Sequence, residues 1–179
     1  MKKYIIIILF IVAGLVSIVL WKNNSAPETG SADYKTAVYS IDGNRVALGS
    51  EGVRYFGNEV KHDLNDDGRE DVAFLLTYEP GGSGTFFYVV AALNTPAGYV
   101  GSEAFFLGDR IAPQTTGMDE GKTVMGTNRQ NVIVVNYAVR LPGEPFTARP
   151  SMGKSVWLKL DPATMQFAEV AQNFEGESR

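Results

Sequence analysis

From Tyr34 onward, apolar residues come in short runs separated by turn residues. This pattern is typical of antiparallel β structure. Asp42-Gly43-Asn44 predicts a tight hairpin turn, and Asn94–Gly98 predicts a second hairpin loop. The strands expected before the middle of the chain are Thr36–Ile41, Arg45–Gly49 and Val53–His62.

Three later runs are almost continuously apolar: Asp71–Tyr78, Thr85–Leu93 and Asn131–Val139. The alternation of apolar and polar residues disappears when neither face of a strand meets water, so these runs predict the middle of the sheet. Tyr99–Gly108 and Ser155–Leu160 mix apolar and polar positions and predict outer strands.

The C-terminal segment has two interpretations. Asp161-Pro162 can cap a helix, and a helical stripe would then consist of Phe167, Val170, Ala171 and Phe174. The same residues can form a hairpin that returns along the previous strand, and we favour this hairpin. Leu141–Gly153, which contains three prolines, predicts a long, extended and exposed loop that could serve as a contact surface.

The predicted fold class is therefore all-β, with one mostly antiparallel domain that forms a sandwich or a strongly curved sheet. An α+β fold with a C-terminal helix is the alternative. The domain is expected to span residues 34–175, followed by a tail at 176–179.

The N-terminal residues 1–21 predict a transmembrane signal-anchor. Tyr4–Trp21 carries no charge, and eighteen helical residues rise about 27 Å, close to the thickness of a bilayer core. Lys2 and Lys3 favour an N-terminus inside the cell, which places the domain outside the cytoplasm. A signal peptide that is cleaved to release a secreted protein is the alternative.

Residues 22–33 are small, polar and contain Pro and Gly, which predicts a flexible linker. Without Lys2 and Lys3 the chain has fourteen basic and twenty acidic residues, a formal charge of −6. This charge argues against nucleic acid as a partner. The chain has no cysteine, which excludes disulfides, thiolate zinc sites and cysteine nucleophiles.

One segment, Asp63–Asp71, concentrates acidic residues immediately before an apolar strand, and we call it the acidic loop. Its side chains match the alternating positions of an oxygen-ligand calcium loop: Asp63, Asn65, Asp67 and Asp71, with Gly68 at the sharp turn. Arg69 would contribute its carbonyl oxygen, which leaves its side chain free to vary. An EF-hand is excluded because Phe74 occupies the place of the final glutamate.

This pattern resembles the calcium loops of FG-GAP and VCBS-type repeats, in which the ion pins a strand-loop-strand corner. The resemblance implies a structural calcium ion bound by Asp63, Asn65, Asp67, the Arg69 carbonyl and Asp71. Without the final glutamate, weak binding is expected, with a Kd on the order of 10⁻⁴ to 10⁻³ M. A solvated acidic turn without a metal is the alternative.

The longer stretch from His62 through GGSGTFFYVVAALN to VAQNFEGE resembles a family of uncharacterised bacterial envelope proteins, in some of which a META-type domain follows. The family itself implies no reaction.

Other candidate residues have structural interpretations. His62, the only histidine, is expected at a strand end, and Gly81–Gly84 is expected to be a hairpin loop near the acidic loop. The acidic residues Glu103, Asp109, Asp119 and Glu120 are expected in turns, although a glycosidase pair among them stays open. The aromatic residues are expected in the core rather than on a sugar platform: Phe86, Phe87, Tyr88, Phe105, Phe106 and Trp157.

These observations lead to three hypotheses about function. The first is a non-enzymatic binding module at the cell surface whose partner is an envelope protein or a glycan. The second is a carboxylate-dependent hydrolase that acts on an envelope polymer. The third is an accessory domain of a META-type envelope protein. An exposed aromatic groove would favour the first, and two carboxylates facing each other in a cleft would favour the second.

Overall fold

A computed structural model describes residues 30–119 and 130–170. Within these ranges the chain forms eleven β-strands and a short 3-10 turn, Tyr34–Thr36, without an α-helix. The strands are β1 (Val38–Ile41), β2 (Asn44–Ala47), β3 (Val53–His62), β4 (Asp71–Tyr78), β5 (Phe86–Thr95), β6 (Gly98–Gly101), β7 (Phe105–Asp109), β8 (Ala112–Met118), β9 (Val132–Val139), β10 (Met152–Asp161) and β11 (Gln166–Glu169). All pairs between these strands are antiparallel, which confirms the predicted all-β class.

The strands form three layers. The central sheet has the order β3-β4-β5-β6, and β7 pairs with β5 beside β6. A second sheet of order β11-β10-β9-β8 covers one face of the central sheet. The β1-β2 hairpin covers part of the other face.

Both faces of β4 and β5 are therefore buried, as their continuous apolar sequences predict. Leu75 and Val89 pack into the core shared with the second sheet. Phe74 and Val90 pack on the opposite side, beneath the β1-β2 hairpin. The ring of Phe74 is fully buried, and its centroid lies 5.3–5.8 Å from the centroids of three tyrosine rings: Tyr34, Tyr39 and Tyr55.

The prediction that β9 joins β4 and β5 in the middle of one sheet is wrong, because β9 lies in the second sheet, between β8 and β10. Its outward face is only half-buried at Val134 and Asn136, which lie opposite Trp157 and Ser155 of β10. The prediction that β10 is an outer strand is also wrong, because β11 pairs along its free side. An apolar run reveals burial but not the sheet to which the strand belongs.

The predicted C-terminal hairpin is confirmed. Leu158 pairs with Glu169, and Leu160 pairs with Phe167, across the turn that follows Asp161. The helical alternative is therefore wrong for residues 166–169, and positions 171–179 lie outside the described residues.

Gly30 and Ser31, which the sequence places in the predicted linker, lie against the domain. Ser31 exchanges two backbone hydrogen bonds of 2.7 and 2.9 Å with Tyr99 of β6. This contact is close because Gly30 and Gly98 face each other without side chains. The predicted anchor, Tyr4–Trp21, lies outside the described residues, and no helix within the described ranges has the length and apolarity that a membrane span needs.

The loop that joins β9 to β10 is exposed, as predicted, but it is not extended. It folds into two turns, in which Glu144 N–H donates to the Leu141 carbonyl and Ala148 N–H donates to the Pro145 carbonyl. The guanidinium of Arg140 donates to the Ala148 carbonyl at 2.7 Å and stabilises the second turn.

Replacing Gly98 with Ala tests how tightly residues 30–31 are held. A Cβ at this position would lie 2.6 Å from the backbone of Gly30, and Gly98 has a φ of +112°. Backbone strain and steric overlap each cost about 1–3 kcal/mol, so we expect Gly98→Ala to lower the free energy of unfolding by about 3 kcal/mol or more.

The matched control is Gly43→Ala, because Gly43 also has a positive φ, of +75°, but a Cβ added there would have no neighbouring atom within 4 Å. We expect this change to cost about 1–2 kcal/mol. Urea unfolding of both variants measures the difference, and equal costs would show that residues 30–31 contribute nothing to the fold.

Candidate functional site

The acidic loop connects β3 to β4 and turns through two residues in the left-handed region. Asp66 has a φ of +61° and Gly68 has a φ of +83°. Asp and Gly are among the residues that adopt this conformation at low cost, which explains their presence at these positions.

Side-chain oxygens hold the turn together from inside. The Asp63 carboxylate accepts hydrogen bonds from the backbone N–H groups of Asp67, at 3.1 Å, and Gly68, at 2.7 Å. The Asn65 side chain accepts from Asp67 N–H at 3.2 Å and donates to the Asp67 carboxylate at 2.9 Å. The loop therefore brings Asp63, Asn65 and Asp67 together, as the sequence predicts.

The Arg69 side chain is not free to vary, contrary to the expectation from the sequence. Its guanidinium forms an ion pair with the Asp67 carboxylate and donates a hydrogen bond to the Asn94 carbonyl at the end of β5. Arg69 thus supplies a positive charge to the acidic loop and ties the loop to the neighbouring strand.

Asp71 lies at the start of β4 and is fully buried. One carboxylate oxygen accepts from Leu64 N–H at 2.9 Å, and the other accepts from Asn94 N–H at 2.7 Å. Burial raises the pKa of the Asp71 carboxyl, and the charges of Asp67 and Asp63 raise it further, against the two N–H donors that lower it. The ionised form of Asp71 is therefore costly in this environment.

The pKa of Asp63 moves in the opposite direction. Desolvation raises it, but the backbone N–H groups of Gly68, Asp67, Asn65 and Asp66 together lower it below its ordinary value. Two of the acidic side chains in the loop thus have different electrostatic environments: Asp63 is stabilised as an anion, whereas Asp71 is not.

The donor set of the loop consists of carboxylate and amide oxygens, which suit a hard cation such as Ca²⁺. An ionised carboxylate has about four lone-pair sites, so the N–H bonds to Asp63 and Asp71 leave capacity for a metal ion. No group of three or more His, Asp or Glu side chains within the described ranges is arranged as a ready metal cluster. The residue types of the loop suit calcium by chemistry, and the hydrogen bonds of Asp71 hold the loop without a metal.

A second region lies at the opposite end of β4 and β5. The turn of the β1-β2 hairpin covers this end of the central sheet only in part, because Tyr78 and Phe86 are half-buried there. The result is a groove of about 430 Å³, which we call the aromatic groove; its lining residues are Asp42, Tyr78, Pro80, Phe86, Tyr88 and Phe106.

Three neighbouring strands carry the rings of the aromatic groove. Tyr78 of β4 lies opposite Phe86 of β5, and Phe106 of β7 lies opposite Tyr88 of β5. The Phe106 ring is 52% exposed, and its centroid lies 5.3 Å from that of Tyr88 and 6.2 Å from that of Phe86. Burial raises the pKa of Tyr88, with smaller contributions from Asp42 and Tyr78, so its hydroxyl stays protonated and can donate a hydrogen bond.

The expectation that the aromatic residues belong to the core is wrong for Phe106, which is exposed. Phe87 and Tyr88 are buried, and Phe86 and Phe105 are half-buried against the core. Trp157 is half-buried outside both core clusters. Strand alternation in FFLGD places Phe106 and Leu107 on opposite faces, but it does not show which face stays open.

The Gly81–Gly84 loop joins β4 to β5 as a hairpin loop, as predicted, but it does not lie near the acidic loop. The acidic loop precedes β4 and the glycine loop follows it, so the two are separated by the length of an eight-residue strand, about 23 Å. The glycine loop instead lies beside the aromatic groove, where Pro80 is a lining residue.

The other acidic candidates have structural partners. Glu103 accepts from Gly43 N–H at 3.1 Å and so supports the β1-β2 turn. Asp109 forms an ion pair of 2.7 Å with Arg110 and accepts from Thr85 N–H at 3.0 Å. His62 is exposed at the end of β3, as expected, and Glu120 lies outside the described residues.

Asp71→Asn tests whether the Asp71 carboxylate stabilises the fold through its two hydrogen bonds to backbone N–H groups. The amide retains one oxygen but turns an NH₂ group toward a backbone N–H, which leaves a buried donor without an acceptor. We expect a loss of about 1–3 kcal/mol in the free energy of unfolding, measured by urea denaturation in chelator. The exposed neighbour Glu70→Gln is the control, with an expected change below about 0.5 kcal/mol. Equal losses of stability in the two variants would contradict a stabilising role for the Asp71 hydrogen bonds.

No family model matches the chain, and neither a curated protein nor a solved structure matches it. The resemblance of the acidic loop to FG-GAP and VCBS-type loops, and that of the longer stretch to envelope proteins, stay predictions. The functional assignment of the chain therefore depends on the chemistry of its acidic loop and its aromatic groove.

Proposed function

We propose that the chain is a membrane-anchored, extracytoplasmic binding module without catalytic activity, and that its acidic loop binds a structural calcium ion. The observation that carries the proposal is the aromatic groove. A soluble β domain normally covers such rings, and exposed aromatic side chains beside a few polar groups are characteristic of ligand sites.

The groove favours binding over hydrolysis. Carboxylate-dependent hydrolysis needs two carboxyl groups facing one another across the substrate. Asp42 is the only acidic side chain among the described residues that line the groove. Glu103 and Asp109 are engaged in supporting backbone turns, as described above. The hydrolase and the META-type accessory domain stay alternatives without a specific observation in their favour.

A bound calcium ion would add positive charge to the acidic loop. Asp63, Asp67 and Asp71 interact electrostatically, and Arg69 pairs with Asp67. A cation bound by the oxygens of the loop would lower the cost of keeping Asp71 ionised and buried. It would also pin the corner between β3 and β4, a structural role that involves no reaction.

The location of the module is proposed from the sequence. Tyr4–Trp21 would span the membrane, and the chain beyond it would lie outside the cytoplasm, where millimolar calcium could occupy a weak site. Because Ser31 pairs with Tyr99, the connecting segment would be shorter than residues 22–33 and the domain would stand close to the bilayer. Cleavage and secretion are the alternative.

The melting temperature of the detergent-solubilised full-length protein, measured in millimolar calcium and in chelator, tests the calcium site. With a Kd of about 0.1 mM and 1 mM calcium, linkage predicts about 1.4 kcal/mol of stabilisation. For a domain of this size that corresponds to a shift of about 4 °C.

Asp67→Ala should abolish the calcium-dependent shift, whereas Glu70→Ala should preserve it, because Glu70 contacts only Lys61, at 3.8 Å on the surface, among the described ion pairs. A wild-type protein that melts at the same temperature in calcium and in chelator would make the acidic loop a solvated turn balanced by Arg69.

Comparing Phe106→Ala with Phe74→Ala tests whether the groove rings serve binding rather than folding. Phe74 is fully buried, so its removal should cost about 3–5 kcal/mol. Phe106 is 52% exposed and mainly contacts two rings, so its removal should cost about 1 kcal/mol. Urea unfolding measures both, and a loss at Phe106 as large as that at Phe74 would identify a structural residue.

A further inference from the structure

The aromatic groove has a shape and a lining that suit one class of ligand. We propose that it binds a proline-rich segment of another protein in the polyproline II conformation, with a basic residue of that segment beside Asp42. This inference rests on the proposed binding function and names the class of its ligand.

The rings of the groove form a diagonal row that a short polyproline II segment can cover. Tyr78 of β4 is level with Phe86 of β5, whereas Phe106 of β7 is level with Tyr88, two residues further along β5. The outer two strands are about 9.6 Å apart and the two-residue offset adds about 6.6 Å along the strands, so the outer rings are separated by about 12 Å. Five residues of a polyproline II helix span about 12 Å. One segment of this length could therefore lie over the whole row.

The lining offers little for a sugar. Carbohydrates carry hydroxyl groups that lose water on binding and need partners. The side-chain polar groups of the lining are the Asp42 carboxylate and the hydroxyls of Tyr78 and Tyr88. A polyproline II segment needs fewer partners, because its proline rings are apolar and lack N–H groups, and because its carbonyls can remain in water. Aromatic-lined grooves are a general means of recognising such segments.

Asp42 adds a preference for positive charge. It lies in the β1-β2 turn at the wall of the groove and is exposed, with a φ of +51°. It is the only charged residue in the described lining of the groove. A basic residue on the peptide could pair with this carboxylate or lie over the face of a nearby ring. The acidic net charge of the part proposed to be exported adds a weaker attraction for a basic peptide.

The chain's own proline-containing loop does not fit as the ligand of a second copy. Pro142 and Pro145 have the spacing of a proline-rich motif, but Gly143 between them has a φ of +87°. The loop is folded into two turns, one of which Arg140 stabilises, and Arg110 lies 3.9 Å above the ring of Phe146. Unfolding these turns would be needed before the loop could become a polyproline II helix.

The test is fluorescence anisotropy with the full-length protein in lipid nanodiscs. The probes are a fluorescein-labelled decaproline peptide ending in two arginines, the same peptide ending in two glutamates, and a glycine-serine peptide of equal length ending in two arginines. A labelled hexamer of β-1,4-linked glucose is the fourth probe. We expect the arginine-ended decaproline to bind most tightly.

Two variants and a control locate the binding. Phe106→Ala should weaken the arginine-ended decaproline at least tenfold. Asp42→Asn should reduce the preference for arginine over glutamate at least threefold, and Asn tolerates the positive φ of this position. Phe146→Ala removes a ring that is 66% exposed outside the groove and should change nothing.

Each other outcome has a defined meaning. Equal binding of the glycine-serine peptide would show attraction by charge alone and overturn the proposal. If the sugar binds, loses affinity in Phe106→Ala, and the decaproline does not bind, the ligand class is wrong but the groove stands as a binding site. If no probe binds, the peptide proposal is overturned, and the groove no longer supports the proposed binding function. The calcium site is tested separately, by its own melting experiment.

Discussion

The burial of β4 and β5 on both faces is the constraint on which the rest of the structure depends. Two antiparallel strands with apolar residues at every position must be covered above and below. The second sheet covers one face, and the β1-β2 hairpin covers part of the other. On the hairpin side, Val72 and Ala92 near the acidic loop are buried, whereas Tyr78 and Phe86 at the opposite end are half-buried. The first end is therefore closed and the second is open.

The two ends of these strands therefore have different chemistry. At the closed end, Asp71 uses both carboxylate oxygens to bind the backbone of Leu64 and Asn94, which fastens the acidic loop to β5. At the open end, Phe106 is exposed over the rings of Phe86 and Tyr88. A hydrogen-bonded polar corner and an open apolar groove on one pair of strands suit the proposed module, in which one end maintains the fold and the other meets a partner.

Charge within the acidic loop is neutralised only in part. Arg69 pairs with Asp67, while the buried Asp71 carboxyl is held by two backbone N–H donors. The proposed calcium ion would share this neutralising role with Arg69 rather than provide it alone. The physical question about the loop is thus how much stability the ion adds to a corner that hydrogen bonds already hold.

The sequence by itself determined the all-β class, the hairpins at Asp42-Gly43 and after Asp161, and the clustering of Asp63, Asn65 and Asp67, because local periodicity and turn chemistry encode these features. Only the tertiary structure decided that β9 belongs to the second sheet, that the Arg69 side chain pairs with Asp67, and that Phe106 stays exposed. Those outcomes depend on which distant segment covers each face of a strand. The apolar residues of a strand indicate that its face is buried, but they do not indicate which segment buries it.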